Sequence, residues 1–226
     1  MPYTTDPPAP PPGNEPGADD ARQHAPAAAR NRDPILAVLQ AALPRTGTVL
    51  EIASGTGEHA VYFAPRLQPR RWLPSDIDSR ALASIRAWLA YQPAANLLAP
   101  RCVDVCTEGW QDAACAGLSE PVTAVVAINM LHIAPFAACR GLFAGAARVL
   151  PATGCVLVYG PFRIDGEHTA PSNAAFDESL RAQNPSWGVR DTREVGAVAA
   201  KEGLIERERI AMPANNFILV FAPTER

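Results

Sequence analysis

Residues 49–57 read Val49-Leu50-Glu51-Ile52-Ala53-Ser54-Gly55-Thr56-Gly57. The stretch begins as a short run of aliphatic residues and ends in two glycines separated by one residue, which predicts a strand followed by a sharp turn. Because glycine has no Cβ, Gly55 and Gly57 let the backbone turn tightly and leave room for a ligand to approach it. A strand that ends in such a turn is typical of the ligand-binding edge of an open α/β sheet.

The segments on either side of this turn alternate between strand and helix patterns. We predict strands at residues 48–53, 71–75, 101–105, 122–128 and 155–159, and helices that begin at Asp33, His59, Ser79 and Phe136. This alternation favours a doubly wound α/β fold, in which a mostly parallel sheet carries helices on both faces. Two further apolar runs, 204–211 and 217–222, are joined by a connector too short for a crossover helix, so they predict a C-terminal antiparallel hairpin in a seven-stranded sheet.

Composition limits the class of protein. The chain has 226 residues, of which 48% are hydrophobic and 19% charged, enough for one globular domain. A net charge of −3 gives no basic surplus for binding nucleic acid, and no apolar run approaches the length of a membrane span. Eight of the 23 prolines fall within the first 26 residues. We therefore expect a disordered Pro-rich tail at residues 1–27 and one folded domain at residues 28–226.

The cysteines and histidines do not form a pattern typical of metal ligands. Five cysteines, an odd number without a Cys-x-x-Cys pair, argue against a disulfide framework or a zinc site. A reducing cytoplasm is the expected location, and no metal is expected.

Polar side chains follow the predicted strands at positions suited to a nucleoside. Asp76 lies nineteen residues beyond Gly57, the distance at which such folds place an acid that accepts hydrogen bonds from a ribose. Asp104 ends the third strand and can accept a hydrogen bond from an adenine amino group. Asn129 and His132 follow the fourth strand and are expected at the same sheet edge. The spacing predicts an adenosine-bearing cofactor, with solvated turn carboxylates as the alternative.

Two cofactors fit this pattern, a nicotinamide dinucleotide and S-adenosylmethionine. Gly55 and Gly57, with Ala60 as the third small residue, satisfy a relaxed dinucleotide fingerprint. Glu51 favours S-adenosylmethionine, because a carboxylate repels a pyrophosphate and attracts the ammonium group of the methionyl part. The predicted antiparallel hairpin also favours S-adenosylmethionine over a nicotinamide dinucleotide. A nicotinamide-dependent oxidoreductase and a non-catalytic S-adenosylmethionine-binding interaction protein that recruits a partner through the Pro-rich tail remain alternatives.

The motif from Glu51 to Gly57, with Asp76, Asp104 and Asn129, resembles the class I S-adenosylmethionine-dependent methyltransferases. Longer stretches, covering about residues 28–222 in all, resemble the methyltransferase-like 26 family of uncharacterised proteins. The stretches include Arg30-Asn31-Arg32-Asp33-Pro34-Ile35, Pro74-Ser75-Asp76-Ile77-Asp78, Tyr159-Gly160-Pro161-Phe162 and Met212-Pro213-Ala214-Asn215-Asn216. The resemblance implies a Rossmann-like methyltransferase fold and S-adenosyl-L-methionine as the cofactor.

The same resemblance implies roles for individual residues. Asp76 would hold the ribose hydroxyls, Ile77 would lie against the adenine, and Asp104 would lie near its amino group. The methionyl part would lie beside the two glycines and Asn129, and Arg30 and Asn31 would fold over the site. The expected cofactor-binding set is Asn31, Glu51, Ala53, Gly55, Gly57, Asp76, Ile77, Asp104, Val105 and Asn129.

Methyl transfer is an in-line displacement at a sulfonium carbon, so the protein chiefly aligns the acceptor and excludes water. His132 is the candidate general base, and the alternative is a structural histidine bonded to the backbone. Tyr159, at the end of the fifth strand, is the candidate for orienting the substrate, or it covers the core edge. Because no basic patch or added recognition domain is evident, we expect a small-molecule methyl acceptor. The polar segments 184–191 and 215–216 are candidates for lining its pocket, with tight turns as the alternative.

Overall fold

The structure, a computed structural model, describes residues 21–224 as alternating helices and strands. The first part of the chain forms α1 (Pro26–Ala42), β1 (Thr48–Ile52), α2 (Glu58–Phe63), β2 (Arg71–Asp76), α3 (Ser79–Tyr91), β3 (Arg101–Cys102), α4 (Trp110–Cys115), β4 (Val122–Ile128), α5 (Phe136–Val149) and β5 (Cys155–Gly160). The second part forms β6 (Phe162–Ile164), β7 (Glu167–His168), α6 (Pro171–Gln183), β8 (Arg190–Asp191), α7 (Thr192–Lys201), β9 (Leu204–Met212) and β10 (Asn216–Pro223).

The main sheet has seven strands in the order β3-β2-β1-β4-β5-β10-β9. The five strands from β3 to β5 are parallel, and β10 runs antiparallel to both of its neighbours. A single 3-10 turn, Pro213–Asn215, reverses the chain between β9 and β10. The structure therefore confirms the predicted doubly wound, mostly parallel sheet with its C-terminal antiparallel hairpin.

The two faces of this sheet pack against separate apolar cores, because successive side chains of a strand point to opposite faces. Leu50 and Ile52 of β1 belong to the core on one face, which also contains Phe143 and Phe221. Val49 belongs to the core on the other face. Alternation puts the Glu51 side chain on the Val49 face, so a carboxylate enters an apolar core directly below the glycine turn.

The first helix begins earlier than predicted, at Pro26 and not at Asp33. Pro26 is at the start of the helix, and Pro34 lies inside it. The extension is favoured by alanine-rich sequence and by a buried stripe in which Ala28 and Asn31 precede Ile35 at helical spacing. These contacts outweigh the backbone hydrogen bond that Pro34 cannot donate.

Residues 1–20, which make up most of the expected Pro-rich tail, lie outside the described residues, as do residues 225–226. The described residues 21–27 were expected in the tail, but they contact the domain. The Gln23 amide donates a hydrogen bond to Ser84 Oγ over 2.8 Å, and its carbonyl accepts one from the Trp88 indole over 3.0 Å. Across residues 21–224, no helix is long and apolar enough to cross a membrane.

Several elements were not predicted from the sequence, namely α4, α6, α7 and a small three-stranded sheet in the order β7-β6-β8. In α6 the buried side chains are Asn173, Asp177 and Leu180, so the inward face carries little apolar periodicity. In α7 the signal lay in a capping box formed by Asp191 and Glu194. Asp191 ends segment 184–191, which we considered as a candidate pocket lining with tight turns as the alternative. Strand β3 ends at Cys102, before the predicted residue 105, because Cys102 pairs with Asp76, the last residue of its partner β2.

Candidate functional site

The turn after β1 is joined to the end of β2 through the Asp76 carboxylate. Its Oδ2 accepts a hydrogen bond from the Gly55 amide over 2.9 Å, and its Oδ1 accepts one from the Asp78 amide over 2.9 Å. Asp76 is only 7% exposed. Since each carboxylate oxygen can accept more than one hydrogen bond, both oxygens retain acceptor capacity for hydroxyl groups that approach from the turn.

The turn itself contains three residues with left-handed backbone conformations, Ala53, Gly55 and Gly57, whose φ angles are +57°, +56° and +89°. A Cβ at Gly55 would meet no atom within 4 Å, whereas a Cβ at Gly57 would lie 2.9 Å from Ile85 Cα in α3. The two glycines therefore differ in their surroundings. Gly55 leaves open space above the turn, and Gly57 allows α3 to pack closely against it.

Glu51 lies beneath this turn and is 1% exposed. Its Oε2 accepts hydrogen bonds from the Ser54 hydroxyl and the Trp72 indole, each over 2.9 Å. Burial raises the pKa of Glu51 from 4.5 to about 7; the two hydrogen bonds partly oppose this rise, and the nearby Asp76 charge adds to it. Trp72 was not among the predicted site residues, although its place on β2, paired with Val49, puts it on the same sheet face as Glu51.

The expected adenine end lies beyond β2 and β3. Ile77, which follows Asp76, is 61% exposed, an unusual position for a large aliphatic side chain. Asp104 uses Oδ1 to accept a hydrogen bond from the Cys106 amide over 2.8 Å, and Val105 is buried beside it. An exposed apolar side chain next to Asp76 is suited to covering a flat base.

A cavity of about 650 Å³ lies at the ends of β4 and β5, next to the β1 turn in the strand order. Its size is within the range of small-molecule sites. It is lined by residues from five parts of the chain: Ala27, Arg30, Asn31, Pro34, Asn129, His132, Ile133, Tyr159, Pro161, Asn173, Phe176, Pro213, Ala214 and Asn216.

Four predicted site residues, Asn31, Asn129, His132 and Tyr159, meet in this cavity. Asn31 Oδ1 forms a 2.8 Å hydrogen bond with His59 Nε2, so the α1 residue is also tied to α2. Burial raises the pKa of Tyr159, and a hydrogen bond from the Asn31 side chain lowers it. Burial lowers the pKa of His59 to about 4; the Glu58 charge partly opposes this shift, and the Arg32 charge adds to it. His59 is therefore neutral at neutral pH, and as a neutral ring it donates to Asn31.

His132 is buried at the wall of the cavity. Burial, together with the charge of Arg190, lowers its pKa to about 4, so the imidazole is neutral near pH 7. Its ring contacts Phe176 edge to face at 5.5 Å. The His132 carbonyl accepts a hydrogen bond from the Gly188 amide over 3.0 Å, which anchors the backbone and leaves the ring at the cavity.

Arg190 holds the loop that carries His132. Its Nε donates to the Leu131 carbonyl over 3.0 Å, and its Nη2 donates to the carbonyls of Ala134 and Ser186. Sequence reasoning missed this role because Leu131 and Ala134, the partners in the His132 loop, are more than 50 residues away along the chain. Segment 184–191 supports the cavity in this way, whereas Asn216 from segment 215–216 lines it directly.

Phe176 and Asn173 of α6 are further cavity residues that the sequence did not indicate, since the helix itself was not predicted. The available signal in the sequence was a single aromatic residue in the mostly polar segment 171–183. In the structure Phe176 is 40% exposed. Within residues 21–224, no three His, Cys, Asp or Glu side chains are close enough to hold a metal ion. All five cysteines are free thiols.

A family model described as "Protein of unknown function (DUF938)" matches residues 22–223. Similar solved structures include CalO1, a methyltransferase in calicheamicin biosynthesis bound to SAH, at 20% identity and a TM-score of 0.67, covering 88% of this chain and 54% of that one. Another is an O-methyltransferase family 2 protein from Planctomyces limnophilus in complex with apigenin, at 20% identity and a TM-score of 0.69, covering 88% and 58%. A third is human N-acetylserotonin methyltransferase in complex with SAM, at 11% identity and a TM-score of 0.70, covering 88% and 53%.

At these identities the likeness establishes the fold, which is that of class I S-adenosylmethionine-dependent methyltransferases. The matched region spans only a little over half the length of these neighbours.

Proposed function

We propose that this chain, which belongs to the DUF938 family of proteins of unknown function, is an S-adenosylmethionine-dependent methyltransferase acting on a small-molecule acceptor. The observation that carries the proposal is the pairing of the Gly55 amide with the buried Asp76 carboxylate beside open space. This arrangement offers a nucleoside both a gap above the backbone and an acceptor for its ribose hydroxyls. We also propose that the chain is related to the methyltransferase-like 26 proteins.

The residues around the turn fit the cofactor. Asp76 would accept hydrogen bonds from the ribose hydroxyls, Ile77 would cover one face of the adenine, and Asp104 would lie near its amino group. Gly55 and Asn129 would flank the methionyl part. When bound, S-adenosylmethionine supplies a methyl group on a positively charged sulfur.

The start of α2 is poorly suited to the pyrophosphate of a dinucleotide. Glu58 is the first residue of this six-residue helix. Its Oε2 accepts hydrogen bonds from the Ala25 amide over 2.6 Å and the Thr56 hydroxyl over 3.0 Å. The Glu58 carboxylate, fixed at this helix start, would repel a second anion. This charge disfavours the oxidoreductase alternative.

The cavity supports a small acceptor. It adjoins the cofactor residues through Asn129, and it is closed on one side by α1 and on another by α6. His132, neutral near pH 7, can accept a proton from an acceptor hydroxyl, and Tyr159 can orient the acceptor. Several neighbours in fold are named as O-methyltransferases, and oxygen is the acceptor atom that we propose. A cytoplasmic location stays a prediction.

Binding and turnover test the proposal separately. Isothermal titration of the full chain with S-adenosylmethionine, S-adenosylhomocysteine and NAD⁺ should give saturable binding of the first two only. Incubation with S-adenosylmethionine and fractionated metabolite extracts should then release S-adenosylhomocysteine. Preferential binding of NAD⁺ would overturn the proposal. Binding of S-adenosylmethionine without turnover on any fraction would favour the non-catalytic alternative.

A further inference from the structure

The charges around the cavity are unbalanced. Among its lining residues Arg30 is the single cation, and no aspartate or glutamate is present in the lining of the described chain. The other titratable side chains there are His132, which is neutral at neutral pH, and Tyr159, whose pKa is raised by burial. The cavity therefore presents a net positive charge to whatever enters it.

The Arg30 guanidinium is also available. Within residues 21–224 it forms no hydrogen bond, ion pair or ring contact, and its side chain is exposed. Two other arginines near the site are engaged: Arg32, on the same helix, lies 4.3 Å over the Tyr62 ring, and Arg190 donates three hydrogen bonds to carbonyls. A planar guanidinium with free donors matches a carboxylate in a two-point interaction.

The remaining walls of the cavity favour a flat apolar body. Ile133 and Phe176 are large apolar side chains that are 46% and 40% exposed, and both line the cavity. Pro161 and Pro213 add rigid apolar surface. Exposed aromatic and aliphatic side chains around a recess indicate a site for an aromatic ring, because ring contacts would remove this surface from water.

From these observations we propose that the methyl acceptor is an aromatic hydroxy acid whose carboxylate pairs with Arg30. The inference rests on the proposed function. The ring would lie between Ile133 and Phe176, and the hydroxyl would face His132 at the cofactor end. In the transfer the acceptor oxygen forms a bond to the methyl carbon, the bond from that carbon to sulfur breaks with its electron pair going to sulfur, and the hydroxyl proton passes to His132.

Matched acids and amides test the inference. The probes are 4-hydroxybenzoate and 3,4-dihydroxybenzoate, each compared with its benzamide, titrated into the full chain with saturating S-adenosylhomocysteine and followed by ligand-observed NMR. Since charge-assisted hydrogen bonds are stronger than neutral ones, each acid should bind about tenfold more tightly than its amide. Arg30→Gln should reduce that preference to about twofold or less, and Arg30→Lys should retain part of it.

Arg32→Gln is the matched control, because it removes the same charge from the same helix without altering the cavity lining. It should leave the preference for acids unchanged. Equal affinities for acid and amide in the wild type, binding of neither, or a preference that survives Arg30→Gln would each overturn the inference.

The dissociation constant of S-adenosylhomocysteine, measured in the same variants, separates this inference from the proposed function. If the nucleoside binds and the preference for acids is absent, the inference alone fails. If the nucleoside does not bind, the proposed function fails, and the acid and amide titrations without it still decide whether Arg30 selects a carboxylate.

Discussion

The Gly55 amide donates a hydrogen bond to the Asp76 carboxylate, joining the turn after β1 to the end of β2 over 2.9 Å. The two residues are 21 positions apart, and the parallel pairing of β1 with β2 brings them together. One carboxylate therefore shapes the turn and, in our proposal, accepts hydrogen bonds from the ribose hydroxyls. Because the same group serves both purposes, a substitution at Asp76 should affect both cofactor affinity and the stability of the turn.

Asp76→Ala should weaken binding of S-adenosylmethionine by about 1.5–3 kcal/mol, the size of a lost hydrogen bond to a charged group. In affinity this is about a 10- to 150-fold loss, measurable by isothermal titration. The control is Asp78→Ala, which removes the side chain that accepts a hydrogen bond from the Arg80 amide at the start of α3. That variant should lose about 1 kcal/mol of stability and keep its affinity. A folded Asp76→Ala protein with wild-type affinity would contradict the ribose assignment.

Gly55→Ala and Gly57→Ala should have different consequences. Both force an alanine into a left-handed conformation, which costs about 1–2 kcal/mol. Only at Gly57 does the new methyl group also approach Ile85 Cα, at 2.9 Å. We expect Gly57→Ala to lose about 1–3 kcal/mol more stability in urea denaturation, and Gly55→Ala to lose affinity for S-adenosylhomocysteine while it remains folded. Equal losses of stability in the two variants would be inconsistent with the different surroundings of the glycines.

Glu51 should make the protein less stable as the pH rises. Its pKa is 4.5 in the reference state and about 7 in the folded protein, so between these values the folded state binds more protons than the unfolded state. Linkage then requires the free energy of unfolding to fall from pH 4.5 upward, with a total loss of about 3 kcal/mol completed above pH 7. Glu51→Gln cannot titrate, so the difference in stability between the wild type and this variant should shift by about this amount between pH 5 and 8.

Exposed Glu108 provides the control for that measurement. Glu108→Gln and the wild type should give parallel curves of unfolding free energy against pH. If the curve of unfolding free energy against pH for Glu51→Gln is also parallel to that of the wild type, the pKa of Glu51 is not raised in the folded protein.

His132→Gln should lower turnover with little effect on the affinity for S-adenosylhomocysteine. A general base contributes about 10²- to 10⁴-fold to a rate, and less when its pKa lies well below the working pH. Because the pKa of His132 is about 4, we expect a loss near the lower end of this range and no dependence of activity on its titration above pH 6. The assay is kcat with the acceptor found in the extract screen, and His24→Gln is the control, since His24 contacts Glu58 and Trp88 and not the cavity. Unchanged kcat in His132→Gln would leave the residue a structural role only.

Much of the architecture could be predicted from the sequence, because its signals are local. Nearby residues alone predict three of its features: the glycine turn after Ile52, the strand from Val122 to Ile128 and the hairpin with its short connector before Phe217. The start of α1 and all of α6 could not be predicted in this way. Pro26 and Pro34 both fit the first position of a helix, and α6 buries Asn173 and Asp177 on its inward side.

By itself, then, the sequence determined the alternation of the main strands with α1, α2, α3 and α5, the glycine turn and the carboxylate nineteen residues after it, since all of these depend on periodicity and spacing along the chain. Only the tertiary structure decided that Arg30, Asn129, Tyr159 and Phe176 share one cavity, and that Glu51 is bonded to Trp72. The physical reason is that burial, and with it pKa and access to a ligand, depends on which distant segments pack together.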